Sequence, residues 1–288
     1  MLIMRYNGGL GNQMFQFAAA ASLAHGLGVD FAFDMDFFNR GYSRPYGLDV
    51  FNIEKKEAKG FKYKALWALR KHIKNSFFGL NVYGEKDFNY EKRFEEITDN
   101  TYIYGFFQSH KYINPEVVKK YFTFKAAPDE KNARLIKDMK AQDSVSLHIR
   151  RGDYVQKKRY AGVYNHLDLN HYSRALEIVA KKLETPVVYV FSDDIDWARE
   201  NLTFKNCPLC LKKGARFEFV SHNTGEKSYE DLRLMSNCKH NIIANSSFSW
   251  WGAYLNENPQ KTVAAPKKWF QKIKNNPYDL YPQNWVII

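Results

Sequence analysis

The sequence predicts an α/β fold built on doubly wound parallel sheets. Short apolar runs alternate with amphipathic stretches along much of the 288-residue chain. The first example is an apolar strand at 2–6, a Gly-rich turn at 8–13, a helix at 14–28 and a second strand at 29–35. A strand, turn, helix and strand in this order indicate a parallel α/β arrangement.

The second half of the chain shows the same alternation more regularly. A helix is predicted first, over 128–142. The predicted elements that follow are strand 144–149, helix 169–183, strand 186–192, helix 195–202, strand 216–220, helix 228–238, strand 240–245, a helix from 246 and strand 261–266. Five strands separated by helices favour a doubly wound sheet. We therefore expect an N-terminal domain over 1–140 and a C-terminal domain over 141–288.

Composition and charge exclude several classes of protein. With 45% apolar and 26% charged residues, the chain is neither disordered, collagen-like nor a coiled coil. Its apolar runs fall short of the roughly 18 residues that a membrane span needs, and the N-terminus lacks the pattern of a signal peptide. A cytoplasmic protein is expected. The net charge of +12 favours anionic partners: nucleic acid, phosphorylated small molecules or an acidic membrane surface.

A basic, aromatic insertion interrupts the first domain. Over 55–86 there are nine Lys and Arg residues against two Glu. Within it, 64–78 is predicted as an amphipathic helix with a basic face. Two interpretations stay open: a solvated helix packed on its own domain, or a weak peripheral anchor to an anionic inner membrane.

The three cysteines predict neither a disulfide framework nor a zinc site. An odd number without an export signal argues against structural disulfides. Cys207 and Cys210 form a single CxxC, and no second ligand pair lies at a suitable spacing for zinc. Buried or loop thiols are expected.

Ligands of open α/β sheets bind beyond the carboxyl ends of the strands. After the first strand come Gly9, Asn12 and Gln13. The glycine lets the backbone approach a ligand, the following helix N-terminus favours an anion, and the two amides can bond a sugar. The spacing matches neither GxGxxG nor a phosphate loop. A plain tight turn is the alternative.

The most specific motif follows the strand at 144–149. It contains His148, Arg150, Arg151 and Asp153. One arginine can reach a phosphate with its planar guanidinium while a neighbouring carboxylate holds the other. Asp153 can orient an arginine or act on a substrate hydroxyl. The alternative is a structural ion pair.

Two further groups follow later strands. Asp193 and Asp194 come after 186–192, and a carboxylate there suits the adjacent N–H and amino donors of guanine; a solvated surface pair is the alternative. Asn245, Ser246 and Ser247 come after 240–245, where hydroxyls and amides at a helix start can bind an anion or simply cap the helix.

Two DxD patterns raise the question of a metal. They are Asp34-Met35-Asp36 and Asp194-Ile195-Asp196. Alternate carboxylates can bridge a divalent cation to a diphosphate. However, paired arginines, serines and a helix N-terminus can neutralise a diphosphate without one, so we expect no metal. Asp34 and Asp36 are better suited to acceptor hydroxyls.

Several motifs together resemble the bacterial α-1,2-fucosyltransferases of glycosyltransferase family 11. They are GGLGNQMFQFAAA, HIRRGDY and NSSFSWWGAYL, supported by GFFQSHKY, VFSDDIDWARENL and DLRLMSNCKHNIIANSS. The resemblance spans nearly the whole chain. It implies a GT-B fold, with two Rossmann-like domains and a cleft between them. The domain 1–140 would bind the acceptor and the domain 141–288 GDP-fucose.

The resemblance also implies an activity. The enzyme would transfer L-fucose from GDP-β-L-fucose to O2 of a terminal β-galactoside, with inversion and with no metal or cofactor. The acceptor would be a galactoside-terminated oligosaccharide or a lipid-linked glycan of a surface polysaccharide or O-antigen. The rivals are another sugar nucleotide or fucosyl linkage, a nucleic-acid-binding protein and a non-catalytic sugar-binding module.

Residue roles follow from the same resemblance. Arg150 would hold the β-phosphate, Asp193 or Asp194 would read guanine, and Ser246 and Ser247 would line the phosphate nest.

The assignment of the base does not carry over from a distant α-1,6 relative, which has a Glu where this chain has Lys158. Asp153 is therefore the first hypothesis for the base and Asp36 the second. His110, His171 and Tyr104 depart from the family pattern and are expected near the acceptor.

Overall fold

The fold is taken from a computed structural model that describes residues 1–38, 45–70, 72–73, 76–152, 167–271 and 279–288. The chain divides into two compact units. The first unit comprises Met1–Ala127 with Pro277–Tyr281, and the second unit comprises Pro128–Asn276 with Pro282–Ile288.

Within the described residues, the first unit contains a five-stranded sheet with the order β2-β1-β5-β4-β3. The strands are β1 (Leu2–Arg5), β2 (Phe31–Asp34), β3 (Ser76–Phe77), β4 (Leu80–Gly84) and β5 (Thr101–Tyr104). All neighbouring pairs are parallel except β3 with β4. The helices are α1 (Leu10–Leu27), α2 (Phe61–Leu69) and α3 (Pro115–Tyr121).

The strand–turn–helix–strand prediction at the N-terminus is confirmed. Every residue of β1 is buried, as expected of a central parallel strand. The alanines of α1 at 18–21 are also buried. The helix ends at Gly28, which has a φ of 65° and donates its N–H back to the carbonyl of His25. This left-handed conformation suits glycine, so α1 ends there.

The predicted helix over 64–78 is wrong in its second half. The structure has α2 end at Leu69, and Ser76–Phe77 forms β3, which pairs antiparallel with β4. Phe78 and Gly79 connect the two strands with φ values of 47° and 75°. A two-residue turn with both φ values positive matches the twist of a hairpin, so this segment turns back rather than continuing as a helix.

The second unit contains, among its described residues, a six-stranded parallel sheet with the order β11-β10-β9-β6-β7-β8. Its strands are β6 (Asp143–Ile149), β7 (Pro186–Ser192), β8 (Arg216–Phe219), β9 (His240–Ile242), β10 (Val263–Ala265) and β11 (Val286–Ile287). Its helices are α4 (Glu130–Ala141), α5 (Leu169–Ala180), α6 (Ile195–Asn201), α7 (Pro208–Lys212), α8 (Tyr229–Asn237) and α9 (Ser247–Tyr254). The strand order reverses between β6 and β9, which is where doubly wound sheets bind ligands.

The boundaries of the two units differ from those of the predicted domains in two short segments. Helix α4 lies in the second unit because it packs against α8, and its Asn132 bonds Asn223. Near the C-terminus, Asp279 returns to the first unit. Its carbonyl accepts hydrogen bonds from the Ser109 hydroxyl and the His110 N–H, which fastens this segment there.

The cysteine prediction is wrong for one pair. Cys207 and Cys210 are both buried and are joined by a disulfide at the start of α7. One helical turn places their Cα atoms 5.3 Å apart, within the range that a disulfide spans. Cys238 is free and buried, as expected.

None of the helices in the described parts of the chain is both long and apolar enough to cross a bilayer.

Candidate functional site

The carboxyl edge of the second unit's sheet gathers most of the predicted donor-site residues. Strands β9, β6 and β7 are neighbours and run parallel. Asn245 and Ser246 therefore follow β9 at the same edge where Arg150 and Arg151 follow β6 and Asp193 follows β7. The reversal of strand order between β6 and β9 lies at the centre of this group, as expected of a ligand site.

Asp193 connects the two arginines. Its Oδ2 lies 3.0 Å from Nη1 of Arg150, and its Oδ1 accepts the backbone N–H of Arg151 at 2.8 Å. A charged hydrogen bond of this kind is roughly twice as strong as a neutral one. The carboxylate therefore holds one guanidinium and the backbone that carries the next.

Asp194 holds the second arginine. Its Oδ2 lies 3.4 Å from Nε of Arg151, whose guanidinium carbon lies 3.8 Å from the centre of the Trp197 ring. The other carboxylate oxygen of Asp194 accepts the backbone N–H of Trp197 and so caps the N-terminus of α6. The residues Arg150, Arg151, Asp193 and Asp194 are called the Arg–Asp cluster. Both carboxylates already accept hydrogen bonds from the protein, so guanine would have to share their oxygen atoms. The guanine contact of Asp193 or Asp194 stays a prediction.

Gly152 is required by the approach of Asp193 to the backbone. A Cβ atom on Gly152 would lie 2.7 Å from Oδ2 of Asp193, closer than such contacts occur in proteins. Any other residue would displace the carboxylate that orients Arg150. The motif therefore has a glycine at this position because a side chain there would collide with Asp193.

His148 presents a neutral imidazole beneath this edge. It is 5% exposed, and its Nδ1 has no hydrogen-bond partner among the described residues. Burial lowers the pKa of His148 to about 4, although the nearby Asp193 carboxylate acts in the opposite direction. At neutral pH this side chain can therefore offer a hydrogen bond but no positive charge.

The segment after β9 is partly committed to the protein. The Asn245 amide is buried and donates to the carbonyl of Trp269 at 3.0 Å. Ser246 is the N-cap residue of α9, yet its side chain makes no capping hydrogen bond. The plain capping role considered for Ser246 is therefore absent, and Ser247 begins the helix.

Asn223 and Asp231 were not identified from the sequence. Asn223 follows β8 and Asp231 lies in the first turn of α8, so both are at the same sheet edge as the Arg–Asp cluster. The Asn223 amide donates to Oδ1 of Asp231 at 2.9 Å. Burial raises the pKa of Asp231 to about 7. The available signal was an acidic residue at the start of a helix that follows a strand.

The donor residues predicted in the first unit lie at the start of α1. The Gly9 carbonyl accepts the N–H groups of Asn12 and Gln13. The Gln13 amide is buried and donates to the carbonyls of Gly8 and Pro45, both at 2.9 Å. Gln13 thus holds two loops together, and its sugar contact stays a prediction.

Asp36 belongs to a buried ionic network in the first unit. Its Oδ2 lies 3.5 Å from Nη2 of Arg5, and Nη1 of the same arginine lies 2.7 Å from Oδ2 of Asp34. The Tyr102 hydroxyl also donates to Asp34. An acceptor hydroxyl would therefore have to compete with Arg5 for the Asp36 carboxylate.

Asp153 and Lys158 lie outside the described residues. Of the three departures from the family pattern, Tyr104 ends β5, and His110 begins a short 3-10 helix in the first unit. His171 is 4% exposed in α5 of the second unit, where burial lowers its pKa to about 4.

Possible metal ligands do not assemble at this edge within the described ranges. One group of three lies elsewhere, formed by Glu177, Cys207 and Cys210. Its two sulfurs are joined in the disulfide, so they are not thiolates that could bind a metal. The expectation of a metal-independent reaction stays a prediction.

Comparison with known proteins identifies the family. The sequence profile of Glycosyl transferase family 11 matches residues 1–288. The O-antigen biosynthesis glycosyltransferase WbnK of Escherichia coli is 34% identical over 97% of this chain and 98% of its own length. An alpha-1,2-colitosyltransferase of Escherichia coli is 31% identical over 100% of this chain and 99% of its own.

A solved structure shows the fold. It is that of a FUT1 variant of Arabidopsis thaliana in complex with GDP, with a TM-score of 0.51 and 12% identity. The match covers 98% of this chain and 74% of that chain. With the two Rossmann-like units described above, it confirms the predicted GT-B type of α/β fold. The chain belongs to glycosyl transferase family 11 and is a glycosyltransferase.

Proposed function

We propose that this glycosyltransferase transfers L-fucose from GDP-β-L-fucose to O2 of a terminal β-galactoside, with inversion and without a metal, in surface glycan or O-antigen synthesis. The Arg–Asp cluster carries the proposal. It places two cations at the reversal point of a doubly wound sheet, within the motif that resembles family 11 fucosyltransferases.

The chemistry of the leaving group supports this use of the cluster. When the bond between the fucosyl carbon and the β-phosphate oxygen breaks, negative charge builds on GDP. A guanidinium that is already oriented stabilises that charge without reorganising during the reaction. Asp193 provides this orientation for Arg150 at 3.0 Å. The neutral His148 and the start of α9 would add hydrogen bonds to the diphosphate.

Recognition of guanine requires an acceptor for its ring N–H and its amino group. Asp193 and Asp194 remain candidates, and the position of Asp231 at the same edge adds a third. Inosine diphosphate lacks the amino group, so the ratio of GDP to inosine diphosphate affinity measures this contact. In the Asp→Asn variant of the residue that binds guanine, the affinities for GDP and inosine diphosphate should become equal. The Asp→Asn variants of the other two residues should keep the preference for GDP.

The acceptor hydroxyl must lose its proton to a base or to solvent. Asp153 is the first candidate, and Asp36 follows it because Arg5 already occupies its carboxylate. Asp153→Asn should abolish turnover and leave GDP binding intact. Retained turnover in that variant would remove Asp153 as the base.

The test of the whole proposal is donor turnover. The protein is incubated with GDP-fucose and lactose in the presence of EDTA, and GDP release and product mass are followed. A fucosylated product whose linkage NMR assigns as α-1,2 is the expected result. A product that forms only after a divalent metal is restored would contradict the metal-independent reaction.

A second donor is favoured by one observation, the similarity to an alpha-1,2-colitosyltransferase over the whole chain. Colitose is L-fucose without the hydroxyl at C3. A site that hydrogen-bonds this hydroxyl rejects a donor that lacks it by about 10⁴-fold or more. Competition between GDP-fucose and GDP-colitose at equal concentration therefore distinguishes the donors. Preference for GDP-colitose would replace fucose in the proposal.

Peripheral contact with an anionic membrane is also proposed for the basic insertion. Phe61, Leu69 and Phe78 are 81%, 47% and 71% exposed, and the exposed Lys62 and Lys64 lie between them. Exposed apolar groups among lysines suit the surface of an anionic bilayer. Flotation with phosphatidylserine vesicles should exceed flotation with neutral vesicles. Equal flotation with both would end this idea.

A further inference from the structure

The first unit contains an aromatic cavity of about 450 Å³. It opens where β1, β4 and β5 end, since Arg5, Tyr104 and the residues after Gly84 line it. These strands are parallel, so the cavity lies at the carboxyl edge of the first sheet, where open α/β sheets bind ligands. Its volume is within the range of small-molecule sites, about 300–1,000 Å³.

Aromatic rings form much of the wall. Phe88 and Phe106 are nearly parallel, with an angle of 17° between their planes and 6.1 Å between their centres. Trp67 meets the edge of Tyr104 at 5.8 Å. Trp67 itself is fixed, because the guanidinium groups of Arg5 and Arg70 lie 4.0 and 3.8 Å from its ring centre. The pair Phe88 and Phe106 thus offers the better platform for a ligand.

The polar groups of the wall suit a neutral ligand. Arg5 is paired with the Asp34 carboxylate, so it adds little net positive charge to the cavity. Glu85 and Asp87 oppose Lys86 along the remaining wall. A diphosphate would meet no excess of cations along this wall. A ligand with hydroxyl groups can use both the donors and the acceptors.

Glu85 is held in a fixed position. Its Oε2 accepts the Phe106 N–H at 2.6 Å, and its Oε1 accepts the Phe107 N–H at 3.0 Å. The carboxyl group therefore joins the end of β4 to the segment after β5, and it lines the cavity beside the aromatic pair. A fixed carboxyl next to a flat apolar surface is a common arrangement for holding a sugar ring, since hydroxyls and C–H groups point in different directions.

We infer that the aromatic cavity binds the terminal sugar of the acceptor, a β-galactoside. The face of galactose that carries several adjacent C–H groups would lie on Phe88 and Phe106, and its hydroxyls would face Glu85 and Asn7. The identity of the sugar rests on the proposed function. Binding itself requires only the first unit's own residues, so it can be measured without any donor.

The experiment compares Phe88→Ala with Leu211→Ala. Leu211 is 57% exposed on α7 of the second unit and lies outside the cavity, so its truncation is a control for the loss of a large apolar side chain. Methyl β-galactoside binding is measured by saturation-transfer NMR and lactose KM by turnover. Phe88→Ala should weaken both about tenfold, the equivalent of roughly 1.4 kcal/mol. The GDP affinity of Phe88→Ala should not change, and Leu211→Ala should match the wild type.

A second variant keeps the test independent of folding. Asn7→Ala removes the side-chain amide but retains the backbone N–H that donates to Gln16. It should also weaken galactoside binding while GDP binding and thermal unfolding stay as in the wild type. If both variants are folded and bind galactoside like the wild type, the inference is wrong.

The outcomes for the cavity and for the reaction can be separated. If the wild type binds galactoside but forms no fucosylated product, and Phe88→Ala loses this binding, the cavity is a sugar site and the proposed function fails. If product forms in all variants with an unchanged lactose KM, the proposed function stands and the cavity is not the acceptor site. Absence of galactoside binding by the wild type would also overturn the inference.

Discussion

The Oδ2 atom of Asp193 lies 3.0 Å from Nη1 of Arg150, while Oδ1 of the same carboxylate accepts the N–H of Arg151. One side chain on the loop after β7 thus fixes both the direction of a guanidinium and the backbone after β6. The arginine does not have to be ordered by its ligand. Its orientation is part of the folded second unit, which would lower the entropy lost if a phosphate binds there as proposed.

Arg150→Lys tests whether the planar guanidinium matters beyond its charge. Lysine keeps the charge but cannot bond Asp193 and a phosphate oxygen through a fixed fork. We expect kcat/KM for the sugar-nucleotide donor to fall about 10- to 150-fold, the equivalent of a charged hydrogen bond of roughly 1.5–3 kcal/mol.

Arg216→Lys is the control for that substitution. Arg216 begins β8, at the opposite edge of the sheet, and lies 3.4 Å from Glu218 in an exposed ion pair. It should keep wild-type kinetics. Equal donor kinetics for Arg150→Lys and the wild type would exclude Arg150 from the phosphate site.

Gly152→Ala tests the space beside Asp193. The added Cβ would lie 2.7 Å from Oδ2 of Asp193 and would push the carboxylate away from Arg150. Since small misplacements of catalytic groups are costly, we expect donor kcat/KM to fall roughly ten- to hundredfold. Steady-state kinetics with varied donor measure this.

The matched control is Gly26→Ala. A Cβ at Gly26 meets nothing within 4 Å, and the residue lies inside α1. Alanine should keep the kinetics there and stabilise the helix by about 0.5–1 kcal/mol. A Gly152→Ala enzyme with wild-type kinetics would show that Asp193 does not need its present position.

The parts of the fold that the sequence predicted are those with strong local patterns. Strand β7 is a nearly continuous apolar run, and α1 ends at Gly28, whose positive φ suits glycine. Each group of predicted donor residues in the second half follows a predicted strand, and the structure places these groups at one edge of the sheet. By contrast, Ser76–Phe77 lies within a predicted helix, and its hairpin is not predicted because the aromatic and basic residues around it show no period of two.

The missed residues act through contacts between distant parts of the chain. Arg5 lies in an otherwise apolar strand, and only the folded structure places it beside Asp34 and against the ring of Trp67. Asp231 has an ordinary helical sequence around it, and its hydrogen-bond donor is Asn223, which lies in the segment after β8. The spacing of residues along the sequence does not reveal contacts between distant segments. The sequence therefore predicts the sheet edge but not every residue that lies there.

Asp231 makes the stability of the second unit depend on pH. Burial raises its pKa from an ordinary 3.8 to about 7, so the folded state binds this proton more tightly than the unfolded state. Stability from Asp231 is thus full below pH 3.8 and is lost as the pH rises through about 7. The Tm of Asp231→Asn minus that of the wild type should therefore increase over this range.

A comparison of variants is needed because other groups titrate in the same range. Burial raises the pKa of Glu85 to about 7 and lowers that of His148 to about 4, and these two have opposite effects on stability. Asp196→Asn, which removes an exposed carboxyl from the first turn of α6, serves as the control. A Tm difference for Asp231→Asn that does not vary with pH would contradict the prediction.

Arg5→Met should strongly destabilise the first unit. Arg5 is 2% exposed, and its loss leaves the equally buried Asp34 carboxylate without its cation. Removing one partner of a buried ion pair costs about 3–5 kcal/mol. Arg134→Met is the control, because Arg134 and Glu130 form an exposed pair on α4 that contributes only about 0.3–0.5 kcal/mol.

The double variant Arg5→Met, Asp34→Asn identifies the cause of that loss. If the cost arises from an unpaired buried charge, the neutral amide should restore part of the stability that Arg5→Met removes. If it arises mainly from lost packing of the guanidinium on Trp67, 4.0 Å away, the second substitution should restore nothing. Thermal unfolding of the two single variants and the double variant measures this coupling. We expect partial recovery, since the Asp34 carboxylate would otherwise have the Tyr102 hydroxyl and the Asp36 backbone N–H as donors but no cation beside it.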